Sequence, residues 1–186
     1  GAVKGARAFV TWNRDEKYYA SGAWRGTWKE EGGGVLINQA IHTLDLVQFF
    51  LGDAVSVKGS YSTRLLEGII EVEDTADATI RFASGANAIF FATNCHVTNS
   101  PVMIEIMCEN AVLRLEGSLT VTYKNGETEK YEENDKATGE KAYWGKGHAL
   151  IIKDFYESIL NGNAVRVDGN EGIKAIKIIN GIYESA

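Results

Sequence analysis

The chain has 186 residues, 45% hydrophobic and 24% charged, which is the profile of one soluble globular domain and excludes a disordered or membrane-spanning chain. At this length roughly 70% of the unfolded surface can be buried, so neither a disulfide nor a structural metal is needed to hold a core. With Lys+Arg at 19 and Asp+Glu at 25 the net charge is -6 and no basic run occurs, which excludes a nucleic-acid or other polyanion-binding module.

The first segment, Val3 to Trp12, is rich in β-forming residues and predicts a strand. The stretch DEKYYASGAWRGTWKEEGGG that follows has neither helical nor strand period and reads as a long loop. From Gly34 to Leu51 the apolar residues Leu36, Ile37, Ala40, Ile41, Leu44, Val47 and Phe50 recur at helical steps and Gly52 follows, which predicts a helix with a C-terminal stop. The middle of the chain is β. Val55, Val57 and Tyr61 alternate with polar residues, as do Ala76, Ala78, Ile80 and Phe82, so each strand has one wet face. Ser84-Gly85 predicts a turn into a strand from Ala86 to Cys95, where Ile89, Phe90, Phe91 and Ala92 are apolar on both sides, as in a central or covered strand. Strands over Val102 to Cys108, Ala111 to Glu116 and Leu119 to Lys124 continue a meander, with Asn125-Gly126 suited to a type I′ turn. After a polar loop around NDKATGEK, Leu150, Ile151, Phe155 and Ile159 predict one helix, and Ile173, Ile176, Ile179 and Tyr183 a last one with a cap at Asp168 and Glu171.

This order predicts one α+β domain over residues 1–186, an open-faced and mainly antiparallel sheet with helices packed on one face. The two-sided apolar strand predicts that the other face meets a second subunit, in a homodimer or homotetramer. Cys95 and Cys108 form no C-x-x-C pair, and the N-terminal GAVKGARAFVTWNR carries no apolar signal region, so a cytoplasmic protein with reduced thiols is expected. Nothing predicts a membrane anchor or a metal site.

At about 100° per residue, Asn38, His42, Asp45 and Phe49 share one stripe of the predicted helix. Two readings fit: a solvent-facing stripe with a His42–Asp45 pair one turn apart, or a cleft wall. In the second, His42 is acid/base, Asp45 orients its ring and Asn38 holds a substrate oxygen. Gly32-Gly33-Gly34 precedes this helix and permits close backbone approach at a helix N-terminus, but its spacing is neither a dinucleotide nor a P-loop fingerprint. The loop before it carries Tyr18, Tyr19, Trp24, Arg25 and Trp28, suited either to the C–H faces and hydroxyls of a sugar or to a mini-core pinning the loop to the sheet. His148 opens a helix, as cap or pocket wall, and His96 reads as structural.

The segment YYASGAWRGTWKEEGGGVLINQAIHTLDLVQFFLG resembles the start of the C-terminal substrate domain of the glucose-fructose oxidoreductase / inositol dehydrogenase (Gfo/Idh/MocA) family. The final GHALIIKDFYESILNGNAVRVDGNEGIKAIKIINGIYESA is similar to that family's closing helices. The resemblance implies an NAD- or NADP-dependent dehydrogenase of a sugar, cyclitol or related hydroxyl compound, with the cofactor bound mainly by an N-terminal Rossmann domain that is not in this chain. The chain alone is then expected to be inactive. The family's catalytic histidine maps onto His42, while its lysine belongs to the nucleotide domain and maps onto no residue here. Asn38 stands where many members carry an aspartate, and an amide cannot relay a proton. The substrate would lie against Tyr19, Trp24, Arg25, Trp28 and His148, with Gly33 and Gly34 as the backbone on this side facing the cofactor. Two alternatives remain: a non-catalytic carbohydrate-sensing or assembly module, and a family member using NAD in a redox-neutral cycle.

Overall fold

The computed structural model describes residues 1–132 and 147–186; the polar loop around NDKATGEK lies outside the described residues. In chain order the elements are β1 (Val3–Thr11), α1 (Glu16–Ala20), a π-helical turn (Leu36–Ala40) running into α2 (Ile41–Leu51), β2 (Ala54–Ser62), β3 (Thr75–Phe82) and β4 (Asn87–Thr93). They continue with β5 (Met103–Cys108), β6 (Ala111–Glu116), β7 (Ser118–Tyr123), β8 (Thr128–Tyr131), α3 (Gly147–Asn161) and α4 (Gly169–Ser185).

The strands form one open sheet in the order β2-β3-β4-β1-β5-β6-β7-β8. Every neighbouring pair is antiparallel except β1 and β4, which run parallel. This is the expected α+β architecture, and its alternation fixes the faces. Ala6, Ala8, Val10, Ala76, Ala78, Ala88 and Ala92 are buried on one side and make a low floor of small side chains. Onto that floor α2 sets Leu44 and Val47, and α4 sets Ile178, Ile179 and Ile182, all fully buried. Each such side chain contributes about 1.5–3 kcal/mol by leaving water. The short alanines let the helix backbones approach while the long aliphatics fill the gap, as close packing requires.

The opposite face is open, with Phe9 beside Phe91 and Ile89 beside Arg7 across the parallel pair. Ile89 is 60% exposed there, and Arg7 pairs with Glu105 in a two-point contact at 2.8 and 3.0 Å.

Four details differ from the sequence expectation. The stretch read as a loop contains α1, a single turn begun by Asp15, whose side chain accepts from the Tyr18 N–H; one turn is too short to show a period. The turn at Asn125-Gly126 is not type I′, because only Gly126 has a positive φ. With Tyr123 N–H bonded to Glu127 O and Gly126 N–H to Tyr123 O, it is a three-residue loop with a glycine bulge. Asp168 accepts from the N–H groups of Asn170 and Glu171, but the Glu171 carboxylate turns to Lys174 instead of completing the box. Finally, α3 is exposed along most of its length, with Ser158 its buried residue, so the helices packed on the sheet are α2 and α4.

Candidate functional site

The helix read from residues 34–51 begins with a π turn over Leu36–Ala40 and becomes α-helical at Ile41. A π turn widens the helix and changes its phase, a feature frequent at functional sites. His42, Asp45 and Phe49 remain together on the exposed face of α2, as their spacing predicts. Asn38, one turn earlier, is half-buried and directed elsewhere: its Nδ2 donates to the Glu31 carboxylate, whose other oxygen accepts from Gly26 N–H at 2.6 Å. Among the described residues no hydrogen bond joins His42 to Asp45, so the orienting contact expected between them is not formed.

The π turn is stapled by a residue that the sequence reading did not single out. Glu73, 1% exposed, lies just before β3 and accepts from Gly34 N–H at 2.9 Å, from Leu36 N–H at 3.0 Å and from the Tyr183 hydroxyl at 2.9 Å, while its own carbonyl accepts from Val35 N–H at 3.0 Å. A carboxylate at a helix N-terminus also meets the positive end of the helix dipole. Burial pushes the Glu73 carboxyl above its ordinary range, with the donors from Leu36, Tyr183 and Gly34 holding it back.

The glycines serve this staple. A Cβ on Gly34 would stand 1.9 Å from Glu73 O, and one on Gly33 would stand 2.4 Å from the Tyr183 hydroxyl. Both glycines are buried, and the amides of Gly34, Val35 and Leu36 are already engaged by Glu73. The close approach that the glycines permit is made within the chain by Glu73 at Gly34 and by Tyr183 at Gly33.

A second buried network supports the other side of the turn. Gln39 donates from Nε2 to the Tyr18 hydroxyl at 3.2 Å and accepts at Oε1 from Asn94 at 2.9 Å, and Asn94 also donates to the Tyr19 hydroxyl at 3.0 Å. Tyr19 is 6% exposed, and burial pushes its phenol up to about 12. The neighbouring Tyr18 takes the outer position: its hydroxyl also accepts from Arg25 Nη1 at 2.6 Å. Arg25 Cζ lies 4.3 Å from the ring centroids of both Tyr18 and Trp24, and Trp24 is 45% exposed. Trp28 belongs to a different cluster. Its ring meets Tyr183 at 5.5 Å and Tyr61 at 6.4 Å, both edge-on, pinning the loop to α4 and β2.

Tyr18, Trp24, Arg25 and Gln39 are thus linked in one network, and Glu31 and Asn38 join it through Gly26, the residue after Arg25. His148 stands exposed in the first turn of α3, and none of the contacts above reaches it. His96 turns its Nδ1 to Thr98 O at 2.8 Å, in keeping with a structural reading. Among the described residues no cluster of three His, Cys, Asp or Glu side chains has the geometry to hold a metal ion, and no helix is long and apolar enough to cross a membrane. Of the described hollows, one of about 670 Å³ lies between β2 and α4 and one of about 790 Å³ lies along α3. Neither is lined by His42, Asn38 or Arg25. His42 stands on an exposed face of α2.

Comparison with known proteins agrees with this architecture. Residues 1–186 match the profile described as the oxidoreductase family, C-terminal alpha/beta domain, of the Gfo/Idh/MocA group. Levoglucosan dehydrogenase of Pseudarthrobacter phenanthrenivorans is 25% identical over 204 residues, covering 88% of this chain and 52% of that protein. Among solved structures, the WlbA dehydrogenase from Bordetella pertussis in complex with NADH and UDP-GlcNAcA is 26% identical with a TM-score of 0.76, covering 100% of this chain and 53% of that one. A levoglucosan dehydrogenase in complex with NADH and levoglucosan shares the fold at a TM-score of 0.84 and 21% identity, covering 100% of this chain and 57% of that one. The chain spans about half the length of these relatives. It belongs to the Gfo/Idh/MocA oxidoreductase family, as a C-terminal α/β domain of that family.

Proposed function

We propose that this family member supplies the substrate-holding wall of an NAD- or NADP-dependent dehydrogenase acting on a sugar, cyclitol or related hydroxyl compound, with His42 as its acid/base. The observation that carries the reading is the arrangement at the start of α2: a buried carboxylate staples a π turn, and beyond it an exposed imidazole stands on the same helix as Asn38. The nature of the relatives supports the chemistry, since levoglucosan dehydrogenase acts on an anhydrosugar and the WlbA structure holds a nucleotide sugar acid with NADH.

In this reading the dinucleotide is held mainly by a domain outside these residues, and its nicotinamide supplies the hydride acceptor or donor. Leu46, Phe49 and Phe50, exposed on α2 with His42, give that ring an apolar surface to lie against. His42 takes the proton of the substrate hydroxyl as the carbon is oxidised and returns it in the reverse direction. With no carboxylate bonded to its ring, it exchanges that proton with water. Asn38, held by Glu31, positions a hydroxyl through its amide oxygen and relays no proton. Trp24 offers its face to the C–H side of the ring and Arg25 its N–H groups to oxygens. The open sheet face, with Phe9, Ile89 and Phe91, is the surface through which copies assemble into a dimer or tetramer.

The test is NAD(P)H absorbance from the full-length protein on a panel of sugars, cyclitols and sugar acids, with His42→Ala in parallel. Loss of an acid/base group lowers kcat by roughly 10²–10⁴-fold. Because His42 is exposed and unbonded, the melting temperature should not move. Unchanged turnover in the variant would remove His42 from the chemistry. A second reading, a sensing module without turnover, draws on Asn38, whose amide cannot relay a proton; it wins if a sugar binds and no substrate on the panel is oxidised or reduced.

A further inference from the structure

The loop before the glycines holds two arginines around one ring. Arg25 Cζ lies 4.3 Å and Arg14 Cζ 5.0 Å from the Tyr18 centroid, and Arg14 Cζ is also 4.9 Å from the Trp12 ring. Such stacking holds a guanidinium flat and removes most of the rotamer freedom that it would lose on binding a ligand. Among the described residues neither Arg14 nor Arg25 forms an ion pair, although the acids outnumber the bases 25 to 19. Their protein contacts are to neutral oxygens: Arg25 to the Tyr18 hydroxyl at 2.6 Å, Arg14 to Asn13 O at 2.7 Å and Asn99 Oδ1 at 3.0 Å. The carboxylate of the same network, Glu31, has its two oxygens on Gly26 N–H and Asn38. By contrast, the arginines on the open sheet face, Arg7 and Arg114, are both paired with Glu105.

Arg14, half-buried like Arg25, has its Nε buried and without a partner and its Nη1 on Asn13 O and Asn99 Oδ1. Arg25 is half-buried with one of its five N–H groups engaged within the protein, so the rest of its fork is available at the edge of the exposed Trp24 ring. It is tied to the π turn twice, through Tyr18 to Gln39 and through the adjoining Gly26 to Glu31 and Asn38. Whatever Arg25 holds is therefore held in register with Asn38.

We propose that Arg25 is the specificity-determining residue of this site and that the ligand it selects is a sugar acid, a polyhydroxylated monocarboxylate whose carboxylate pairs with the Arg25 fork while its carbon chain lies on Trp24. This rests on the substrate-wall reading above and narrows its substrate class. A planar fork matches two carboxylate oxygens at once, and such charge-assisted pairs are stronger than contacts to a neutral hydroxyl. Arg14, fixed behind Tyr18, adds a second positive charge that favours the anion without touching it.

The experiment is equilibrium binding to the full-length protein without cofactor, by calorimetry and by tryptophan fluorescence. The ligands are glucuronate, gluconate, glucose, glucitol and glucose 6-phosphate, and the variants are Arg25→Gln and Arg25→Lys. A sugar acid should bind more tightly than its neutral counterpart, and Arg25→Gln should weaken the acid by about 10–100-fold while changing the neutral sugar less than about threefold. Arg25→Lys, which keeps charge but not the fork, should recover part of the loss. In the unmodified protein, raising salt should weaken the acid and leave the neutral sugar alone, a readout that does not depend on any variant folding. Equal affinity for acid and neutral forms, a preference for glucose 6-phosphate, or an equal loss of both ligands in Arg25→Gln would each overturn the proposal. Turnover that depends on His42 but shows no preference for acids refutes this proposal alone. Arg25-dependent acid binding with no oxidation or reduction refutes the dehydrogenase reading alone.

Discussion

Replacing Glu73 tests whether one buried carboxylate aims the helix that carries His42. In Glu73→Ala the Gly34 and Leu36 amides and the Tyr183 hydroxyl lose their acceptor at a position 1% exposed. An unpaired buried donor costs about 1–3 kcal/mol, so the three together amount to roughly 3–9 kcal/mol, less where water enters the space left behind. That is a large share of the ~5–15 kcal/mol that holds a domain folded. Glu73→Gln keeps the shape and one acceptor oxygen but turns an NH₂ toward donors, while also relieving the cost of burying a charge; about 1–3 kcal/mol is expected. Urea unfolding with an unchanged m-value reads both. The pH dependence carries a sign. The folded carboxyl titrates above its unfolded value of 4.5, so the folded state holds more protons between those two points, and stability falls as pH rises through that window, then levels off. The Gln variant lacks this slope, so its deficit relative to the parent should be largest in acid and shrink toward neutral pH. A Gln variant as stable as the parent, or a deficit that grows with pH across the window, would refute the staple.

Gly34→Ala places a Cβ 1.9 Å from Glu73 O and should cost at least ~3 kcal/mol, whereas Gly32→Ala meets nothing within 4 Å and loses only about 1–2 kcal/mol for its positive φ; paired thermal melts separate them. Burial alone would raise the Asp74 carboxyl, but the Arg64 and Leu66 N–H groups, the Cys95 thiol and the Thr75 hydroxyl together bring it below its ordinary value. The stability that Asp74 contributes is therefore present above its unfolded pKa and is lost as pH falls through its lower folded pKa, and Asp74→Asn should flatten that acid limb. Ile89→Asp, on a side chain 60% exposed on the open face, should leave the melting temperature of the isolated subunit near its original value while reducing the sedimenting mass to that of one chain; an unchanged mass removes this face from assembly.

β3 was legible because it has one dry and one wet face. Ala76, Ala78, Ile80 and Phe82 alternate with Asp77, Thr79 and Arg81, and the structure buries the first set and exposes most of the second. The two-sided character of Ile89 to Ala92 correctly marked a strand in the sheet's interior, since β4 lies between β3 and β1. What could not be read was every feature resting on distant polar partners. Glu73 meets Gly34 across 39 residues and Tyr183 across 110, and Gln39 meets Asn94 across 55. In a periodicity count a buried Glu or Gln is simply an interruption of an apolar face. The step of about 100° that groups Asn38 with His42 assumes a regular α-helix, whereas Leu36–Ala40 form a π turn, which no periodicity count announces. The aromatic loop divided in the same way: composition recognised its density of rings, but only the fold separates Tyr19, which faces inward to Asn94, from Tyr18, which holds Arg25.

The apolar layer and the polar turn hold the helices in different ways. The alanine floor and the aliphatic side chains of α2 and α4 hold the helices to the sheet without regard to small rotations, because dispersion and apolar burial are not directional. Hydrogen bonds are directional, and several of the buried ones meet at the π turn, where Glu73 and Tyr183 grip one side and Gln39, Asn94 and Tyr19 the other. A π turn makes poorer packing than an α turn and persists only where its surroundings over-determine it. The polar network does that here, and the side chains leaving the turn toward solvent, Asn38 and then His42, inherit its direction. Loosening the floor should unfold the domain; loosening the staple mildly, as in Glu73→Gln, should leave most of it folded and move His42 relative to Asn38 and Arg25, a loss in kcat and KM beyond the loss in stability.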